Sequence, residues 1–403
     1  MEQREVVVVG GGPAGASTAA LLARNGHDVL LLDKARFPRQ KACSEYASPA
    51  LIDALDRLGV RPAYEAEGPV RLRGMNVLSP EGREVRIEYP QTGGSARHAL
   101  TMSRERLDPL LLRHARGCGV EVREGGRVRS LLCDGDAVRG VEVSGPDGAG
   151  MPIRSRLVVG ADGLHSVVAR EVGARSEMLW PRRLGLVGHY ESVEGTAEGY
   201  GEMHVQQWGY CGVAALPNGL TSIGMALDMR RYRGRVRGPE AMFEEALGMF
   251  PSIRARLRDA RRISPVSGIG PIARRVRRTE GDGWALAGDA AGFTDPFTGE
   301  GIYRAVRSGE LLAGVASSAL RNGGASARGL APYGQARREA FRHKALVVLL
   351  VQAFVSYPVM LEFAAERGLR RPEVRSLLSA VLGDYQDARR VLRPGFLLDV
   401  LRP

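Results

Sequence analysis

The sequence predicts an α/β fold carrying an α+β insert and a helical C-terminal region, and three observations support this. A β-branched run, Val6-Val7-Val8-Val9, opens the chain and has the continuous apolar character of a strand buried on both faces. Similar runs recur much later, as Arg156-Leu157-Val158-Val159 and Trp284-Ala285-Leu286-Ala287, and each of them leads into glycine and aspartate. Between these runs lie alternating, turn-punctuated stretches typical of antiparallel sheet, and everything beyond Gly301 has helical spacing.

The opening stretch, residues 5–34, reads as a Rossmann-like unit. Gly10, Gly12 and Gly15 follow the first strand as G-x-G-x-x-G, with Pro13 and Ala14 between the last two. The first glycine allows a tight turn, the second lets a pyrophosphate approach the backbone, and the third lets helix pack on strand. Residues 17–25 can continue as a helix, whose N-terminus favours phosphate through free N–H groups and its dipole. Gly26 stops that helix, and Val29-Leu30-Leu31-Leu32 supplies a second strand that closes on Asp33. An acid about 20 residues past the glycines is placed to accept hydrogen bonds from a ribose. Strand, glycines, helix, strand and acid in this order indicate adenine dinucleotide binding.

A charged loop with one proline, residues 34–46, leaves that second strand. Residues 49–58 read as a helix with Leu51, Ile52, Leu55 and Leu58 on one side and Gly59 at its end. Residues 70–89 alternate around Ser79-Pro80-Glu81-Gly82, the pattern of a β-hairpin. The spacing of Leu107, Leu110, Leu111 and Ala115 predicts an amphipathic helix over 102–116. Strands are expected at 120–122, 128–132 and 138–143. The stretch 184–228 is rich in strand signals, with Pro217-Asn218-Gly219 joining two of them. Helices are expected over 240–250 and 253–261, then over 303–321, and over 332–361 with a kink at Pro358.

This order implies interleaved domains. The nucleotide-binding unit is assembled from residues 1–70, 100–178 and 276–330. A β-sheet unit for substrate comes from 71–99 and 179–275, and 331–403 form a C-terminal helical region.

Composition narrows the function classes. Of the 403 residues, the charged ones sum to +12, almost all of the basic ones arginine, since Lys34, Lys41 and Lys344 are the only lysines. No arginine run is interleaved with aromatics, so nucleic acid is not expected as a partner. The basicity instead suits a solvated surface, anionic substrates or peripheral contact with anionic lipid. Residues 345–361 are the most apolar stretch, but Gln352 and Pro358 interrupt it and it is short for a membrane span. Cys43, Cys118, Cys133 and Cys211 are scattered without metal-type spacing, so no metal is expected. Free thiols and the absence of a secretory signal before the first strand point to a cytoplasmic protein. Oligomeric state is not legible.

The motifs resemble those of flavoproteins with the p-hydroxybenzoate hydroxylase fold, over most of the chain. Gly10, Gly12, Gly15 and Asp33 match the ADP-binding unit of that family. Arg104, in Arg104-x-x-Leu107-Asp108, matches an arginine that reaches FAD. Asp162 and Gly163, followed by Ser166 and Arg170, match its G-A-D-G-x-x-S motif. Asp289, in Gly288-Asp289-Ala290-Ala291, matches the aspartate on the ribityl chain, and residues 296–301 match the loop along the flavin ring. The resemblance implies FAD as cofactor and NAD(P)H as a transient electron donor. It implies cofactor contacts at Gly10, Gly12, Pro13, Ala14, Gly15, Asp33, Lys34 and Arg36, then at Arg104, Val128, Asp162 and Gly163. Further contacts are expected at Gly288, Asp289, Pro296, Gly299, Glu300, Gly301 and Ile302. A helix starting near Ile302 would direct its positive end at the reduced flavin. Gly268-Ile269-Gly270-Pro271-Ile272-Ala273 spells a second fingerprint but has no strand before it and no helix after it, so it is rejected.

Three chemistries share that fold: hydroxylation, halogenation and saturation of isoprenoid double bonds. Phe37-Pro38-Arg39-x-Lys41-x-Cys43 resembles a segment of the prenyl reductases, halogenases and some lipid-active hydroxylases. The halogenase W-x-W-x-I-P motif corresponds to residues 211–217, where both tryptophans are missing. Ser44-Glu45-Tyr46 departs from the glycine-rich continuation of prenyl reductases, and Ala214-Ala215-Leu216-Pro217 departs from their aromatic segment. These departures favour a monooxygenase acting on an aromatic or polyketide-like lipophilic molecule, with prenyl reduction as the alternative and a non-catalytic flavin protein behind both. Cys43, Glu45, Tyr46, Tyr210 and Glu300 are the candidate catalytic residues, with His189 as a further polar candidate.

Overall fold

The computed structural model describes residues 1–89, 97–145, 149–232, 238–366 and 370–401. Its first sheet has Glu2–Val9 at the centre, paired in parallel with Gly150–Gly160 on one side and Val29–Asp33 on the other. Trp284–Leu286 and Glu121–Glu124 extend the parallel set outward. Val6 and Val8 enter one apolar cluster and Val7 and Val9 another, so the opening run is buried on both faces. Helices Pro13–Arg24, Arg104–Gly117 and Gly301–Arg321 cover the first face. An antiparallel pair, Val128–Asp134 and Ala137–Ser144, is attached to the outer length of Gly150–Gly160.

Parallel strands deliver their carboxyl ends to one edge, where open α/β sheets bind ligands. Here that edge gathers the turns after Val9, Asp33, Gly160 and Leu286. Helix Pro13–Arg24 meets the edge at close range. A Cβ on Gly15 would lie 1.8 Å from the Gly10 carbonyl oxygen, so only glycine lets the helix seat there.

A second sheet stands over this edge. Its order is Arg261–Arg262, Arg183–Glu191, Leu220–Asp228, Gly209–Ala215, Tyr200–Gln206, Gly74–Leu78 and Glu84–Glu88. It is antiparallel except where Tyr200–Gln206 runs parallel to Gly74–Leu78. The expected hairpin within 70–89 is Gly74–Leu78 with Glu84–Glu88, while Val70–Leu72 belongs to a small sheet with Ala99–Thr101 and Tyr46–Ala47. The rejected second fingerprint overlaps a strand at its start, Ser267–Ile269, which pairs with Arg183–Glu191. It is short and antiparallel, and the next element is the strand Arg274–Val276 rather than a helix, so no dinucleotide unit forms there.

The helical region begins earlier than its apolar spacing indicates. Ser326 caps Ala327–Ser356 by accepting from the Gly329 N–H at 3.1 Å, and Pro332 is accommodated near that helix's start. Tyr357 breaks the helix, and Pro358–Glu366 leaves at 102° to it. Helix Arg61–Ala66 has no counterpart in the sequence reading, because six residues are too few to display a period.

A buried ion cluster ties this region to the first sheet. Glu300, just before helix Gly301–Arg321, pairs with Arg304 at 2.8 Å and with the Lys344 ammonium at 3.4 Å. Lys344 also donates to Asp384 and to the carbonyls of Val381 and Leu382. Burial alone would raise the Glu300 pKa, but Lys344 and Arg304 bring it below the usual carboxylate value. Removing one partner strands the others in low dielectric. Lys344→Met is therefore expected to cost about 3–5 kcal/mol of stability in urea unfolding; a loss below about 1 kcal/mol would show that the cluster is not a structural tie.

Candidate functional site

One cavity of about 620 Å³ runs from the carboxyl edge of the first sheet to the face of the second. Its size is that of a cofactor or small-molecule cleft. At one end it is lined by Gly10, Gly12, Pro13 and Ala14 of the glycine turn, with Asp33 and Lys34 beside them. Val128 and Arg104 line it further along, as do Asp162, Gly163, Gly288 and Asp289. Pro296, Gly299, Gly301 and Ile302 complete this wall, so most of the expected cofactor contacts share one space. Gly15 is beneath the wall as a packing residue, and Arg36 and Glu300 are not on the cavity surface.

The polar half gathers basic side chains beside acids. Arg104 grips Asp108 through two bonds of 2.8 and 2.9 Å, and Arg39 reaches the same carboxylate at 3.2 Å. Both guanidiniums stand over Gly12, within 3.6 and 3.8 Å of where its Cβ would be. Lys41 lines the cavity nearby, where burial and the Arg104 charge lower its pKa while Asp289 opposes them. Sequence reasoning did not place Arg39, Lys41, Arg127 or His165 here, although all four line the cavity. The segment 37–43 was the available signal for the first two, read only as a mark of family branch.

The acids at the strand ends are arranged to receive donors. Asp33 accepts from the N–H groups of Gly11 at 2.7 Å and Ala35 at 2.8 Å, which fixes its carboxylate and leaves lone pairs for a further donor. Asp162 accepts from the Val167 N–H at 2.7 Å through one oxygen, while its other oxygen is buried without a partner. Asp289 has no side-chain hydrogen bond among the described residues, and burial raises its pKa against the pull of Lys41 and Arg104. The buried, unpartnered oxygen of Asp162 is costly unless a ligand satisfies it. A glycine cradle, two guanidiniums over it and unsatisfied acids along a continuous cleft fit the pyrophosphate, ribose and ribityl hydroxyls of FAD.

The other half is apolar. Val187, Met203, Met225, Ala226, Ile269 and Ile272 line it from the second sheet, with Phe293 and the tyrosine rings of Tyr46 and Tyr210. Gly185, Gly212 and Gly224 leave the sheet face flat there. Both tyrosine hydroxyls are already committed, Tyr46 to Tyr89 at 2.7 Å and Tyr210 to Asp295 at 2.5 Å. Asp295 in turn accepts from Gln352 at 2.7 Å.

Cys43 lines the cavity close to Arg104, and its sulfur accepts from the Glu45 N–H at 3.3 Å. Burial raises the thiol's pKa and the Arg104 charge opposes it. Glu45 itself is buried behind this wall and adopts φ 62°, a conformation that costs a non-glycine residue about 1 kcal/mol or more. Its carboxylate accepts from the Arg104 N–H at 2.8 Å and bonds His189 Nε2 at 2.7 Å, while Nδ1 of that ring faces Ser264 at 3.1 Å. Charge-assisted bonds of about 1.5–3 kcal/mol each are enough to hold the strained backbone. Glu45 thus joins the cysteine loop, the start of helix Arg104–Gly117 and the second sheet.

Asp289→Ala is expected to weaken FAD retention by about tenfold or more, measured by flavin release on dilution; unchanged retention would remove Asp289 from the site. Burial lowers the His189 pKa, but the Glu45 bond outweighs it and the net shift is upward from 6.5. Its contribution to stability is therefore complete below that value and fades as pH rises through the higher folded value. Between about pH 6 and pH 8.5, the urea midpoint of the native chain should fall more than that of His189→Gln; parallel curves would refute the pairing.

Comparison with known proteins agrees with this geometry. Residues 3–346 match the family model described as FAD binding domain. The digeranylgeranylglycerophospholipid reductase 2 of Methanopyrus kandleri is 30% identical over 343 residues, 84% of this chain and 83% of the relative. The digeranylgeranylglycerophospholipid reductase of Methanoculleus marisnigri is 28% identical over 336 residues, 82% and 80% of the two chains. Among solved structures, the myxobacterial chondrochloren halogenase CndH superposes with a TM-score of 0.79 at 25% identity, covering 87% of this chain and 82% of its own. A geranylgeranyl bacteriochlorophyll reductase-like protein from Thermoplasma acidophilum gives 0.80 at 20% identity, covering 97% and 99%, and shows the fold. The chain belongs to the FAD binding domain family and is an FAD-dependent oxidoreductase.

Proposed function

We propose that this flavoprotein is a reductase that saturates carbon–carbon double bonds in an isoprenoid-bearing lipid, with NAD(P)H as the source of electrons. The carrying observation is the apolar half of the cavity: among the described residues its second-sheet lining holds no carboxylate, histidine or lysine, and Cys43 stands at its edge. A hydroxylase acting on a phenol needs a base to deprotonate it. Among the described residues lining the apolar half, the polar side-chain groups near the junction are Cys43, the Ser44 hydroxyl and the two engaged tyrosine hydroxyls, none of them a base. An isolated double bond needs apolar space, an electron pair delivered to one carbon and a proton to the other. The reductase names of the relatives support the same choice. This reverses the order in which the sequence alone ranks the two reactions.

When bound, FAD supplies the electron pair as hydride. Val187, Met225, Ile269 and Ile272 hold the chain and exclude water. Cys43 gives its proton to the second carbon, and the thiolate left behind is stabilised by the adjacent Arg104 charge and the Glu45 N–H. Glu45 and His189 hold that loop in place from the far side. Glu300 has no part in proton transfer, since Arg304 and Lys344 bind it away from the cavity.

The test is anaerobic incubation of the reduced holoprotein with a geranylgeranyl lipid, then mass spectrometry. The expected product gains two hydrogens for each double bond saturated, and Cys43→Ser should retain FAD while slowing reduction by about 10²-fold or more. A product that forms only with oxygen and gains one oxygen atom would establish the monooxygenase instead.

A further inference from the structure

Three segments converge on one end of the second sheet, where Arg183 pairs with Asp228. The loop 178–182 enters the first of these strands there, and Met229–Tyr232 leaves the second, its Met229 N–H donating to the Arg182 carbonyl. The break between helices Ala327–Ser356 and Pro358–Glu366 docks on the same end through an Arg183–Ser356 hydrogen bond of 3.2 Å. At this junction the chain exposes large apolar side chains. Leu179 is 87% exposed, Val359 82% and Tyr357 61%, with Trp180 and Met360 near 40%. These side chains belong to a loop and a helix bend.

The charge around them is mostly positive. The ribbon of Arg175–Glu177 with Arg274–Val276 leads into loop 178–182 and carries Arg175, Arg274 and Arg275. Neither these nor Arg182 pairs with a carboxylate among the described residues, and Arg175 and Arg182 both press on the Arg274 charge. Asp228, held by Arg230, and Glu177 are the acids on this side.

The face is also the back of the cavity wall. Arg274 exchanges backbone hydrogen bonds with Phe293, which lines the cavity, and Ile272 lines it two residues away. Val355 and Leu361, flanking the helix break, belong to the same apolar cluster as Ile272, Phe293 and Tyr210. No single helix among the described residues is long and apolar enough to cross a membrane, and the 102° bend turns the one apolar helix pair into a corner.

We propose that this face is a peripheral docking surface for a bilayer rich in anionic lipid. Leu179, Trp180, Tyr357, Val359 and Met360 enter the interface, where Trp and Tyr are favoured, while the arginines meet the headgroups. Docking there would place the membrane against the wall behind which the apolar half of the cavity lies. A bilayer fits better than a protein partner because the apolar residues come from separate tips rather than a continuous groove, and the arginines of the rim outnumber its acids.

Flotation of the holoprotein with vesicles tests this without turnover, so its failure would leave the reductase reading standing. The protein should float with phosphatidylcholine–phosphatidylglycerol vesicles more strongly than with phosphatidylcholine alone, and added salt should weaken the difference. Val359→Glu and Trp180→Glu should each reduce flotation by about tenfold while retaining flavin. Arg182→Glu should reduce it only on the anionic vesicles. Absence of flotation, or Val359→Glu floating like the parent, would overturn the proposal. So would a dimer that Val359→Glu dissolves in sedimentation velocity when no vesicle binding is seen, since the face would then be a contact between two copies.

Discussion

The structure depends on a crossing at which no side chains can fit. A Cβ on Gly10 would lie 2.4 Å from the Ala161 carbonyl oxygen, and one on Gly288 would lie 2.8 Å from the Ala14 Cβ. With Gly15 seated on Gly10, these contacts bring the first strand, the first helix, Gly150–Gly160 and the turn after Trp284–Leu286 to one point. Segments separated by more than a hundred residues therefore present their N–H groups and acids to one cleft. The close approach that lets helix pack on strand also lets a pyrophosphate reach the backbone.

From that crossing the cleft changes character along its length. Arg104, Arg39 and Lys41 surround the phosphate end with positive charge, and Asp162 and Asp289 wait unpaired further on. Beyond Cys43 the described residues of the second sheet offer apolar side chains, the Tyr210 ring and flat glycines. Glu45 fixes the border between the two regions by holding its own strained backbone with bonds to Arg104 and His189. One half of the space thus suits a polar cofactor and the other an apolar chain, with a thiol where they meet.

Much of the first half was legible because its signals are local. Val6 to Val9, the three glycines and Asp33 occupy one short stretch, and the aspartates at 162 and 289 repeat its pattern of buried strand and glycine. The second half depends on pairings between distant residues. Nothing near Glu45 in sequence announces His189, and the two-residue strand Tyr46–Ala47 exists only through Ala99–Thr101. Arg39 owes its position to Asp108, on a helix nearly seventy residues later. Glu300 is a further case: it precedes helix Gly301–Arg321, while its partner Lys344 sits in the C-terminal region. The proposal of a reductase rests on the shape and polarity of the second half, which no short motif encodes.

The central claim is that FAD and Cys43 share one cavity. Alkylation of the four thiols in apo and FAD-loaded protein, resolved by peptide mass spectrometry, tests it most directly. Exposed Cys133 serves as an internal standard and buried Cys211 as a check that the fold stays closed. Loading with FAD should slow labelling of Cys43 by about tenfold or more and leave Cys133 unchanged. Equal labelling of Cys43 in both forms, with FAD demonstrably bound, would contradict the account.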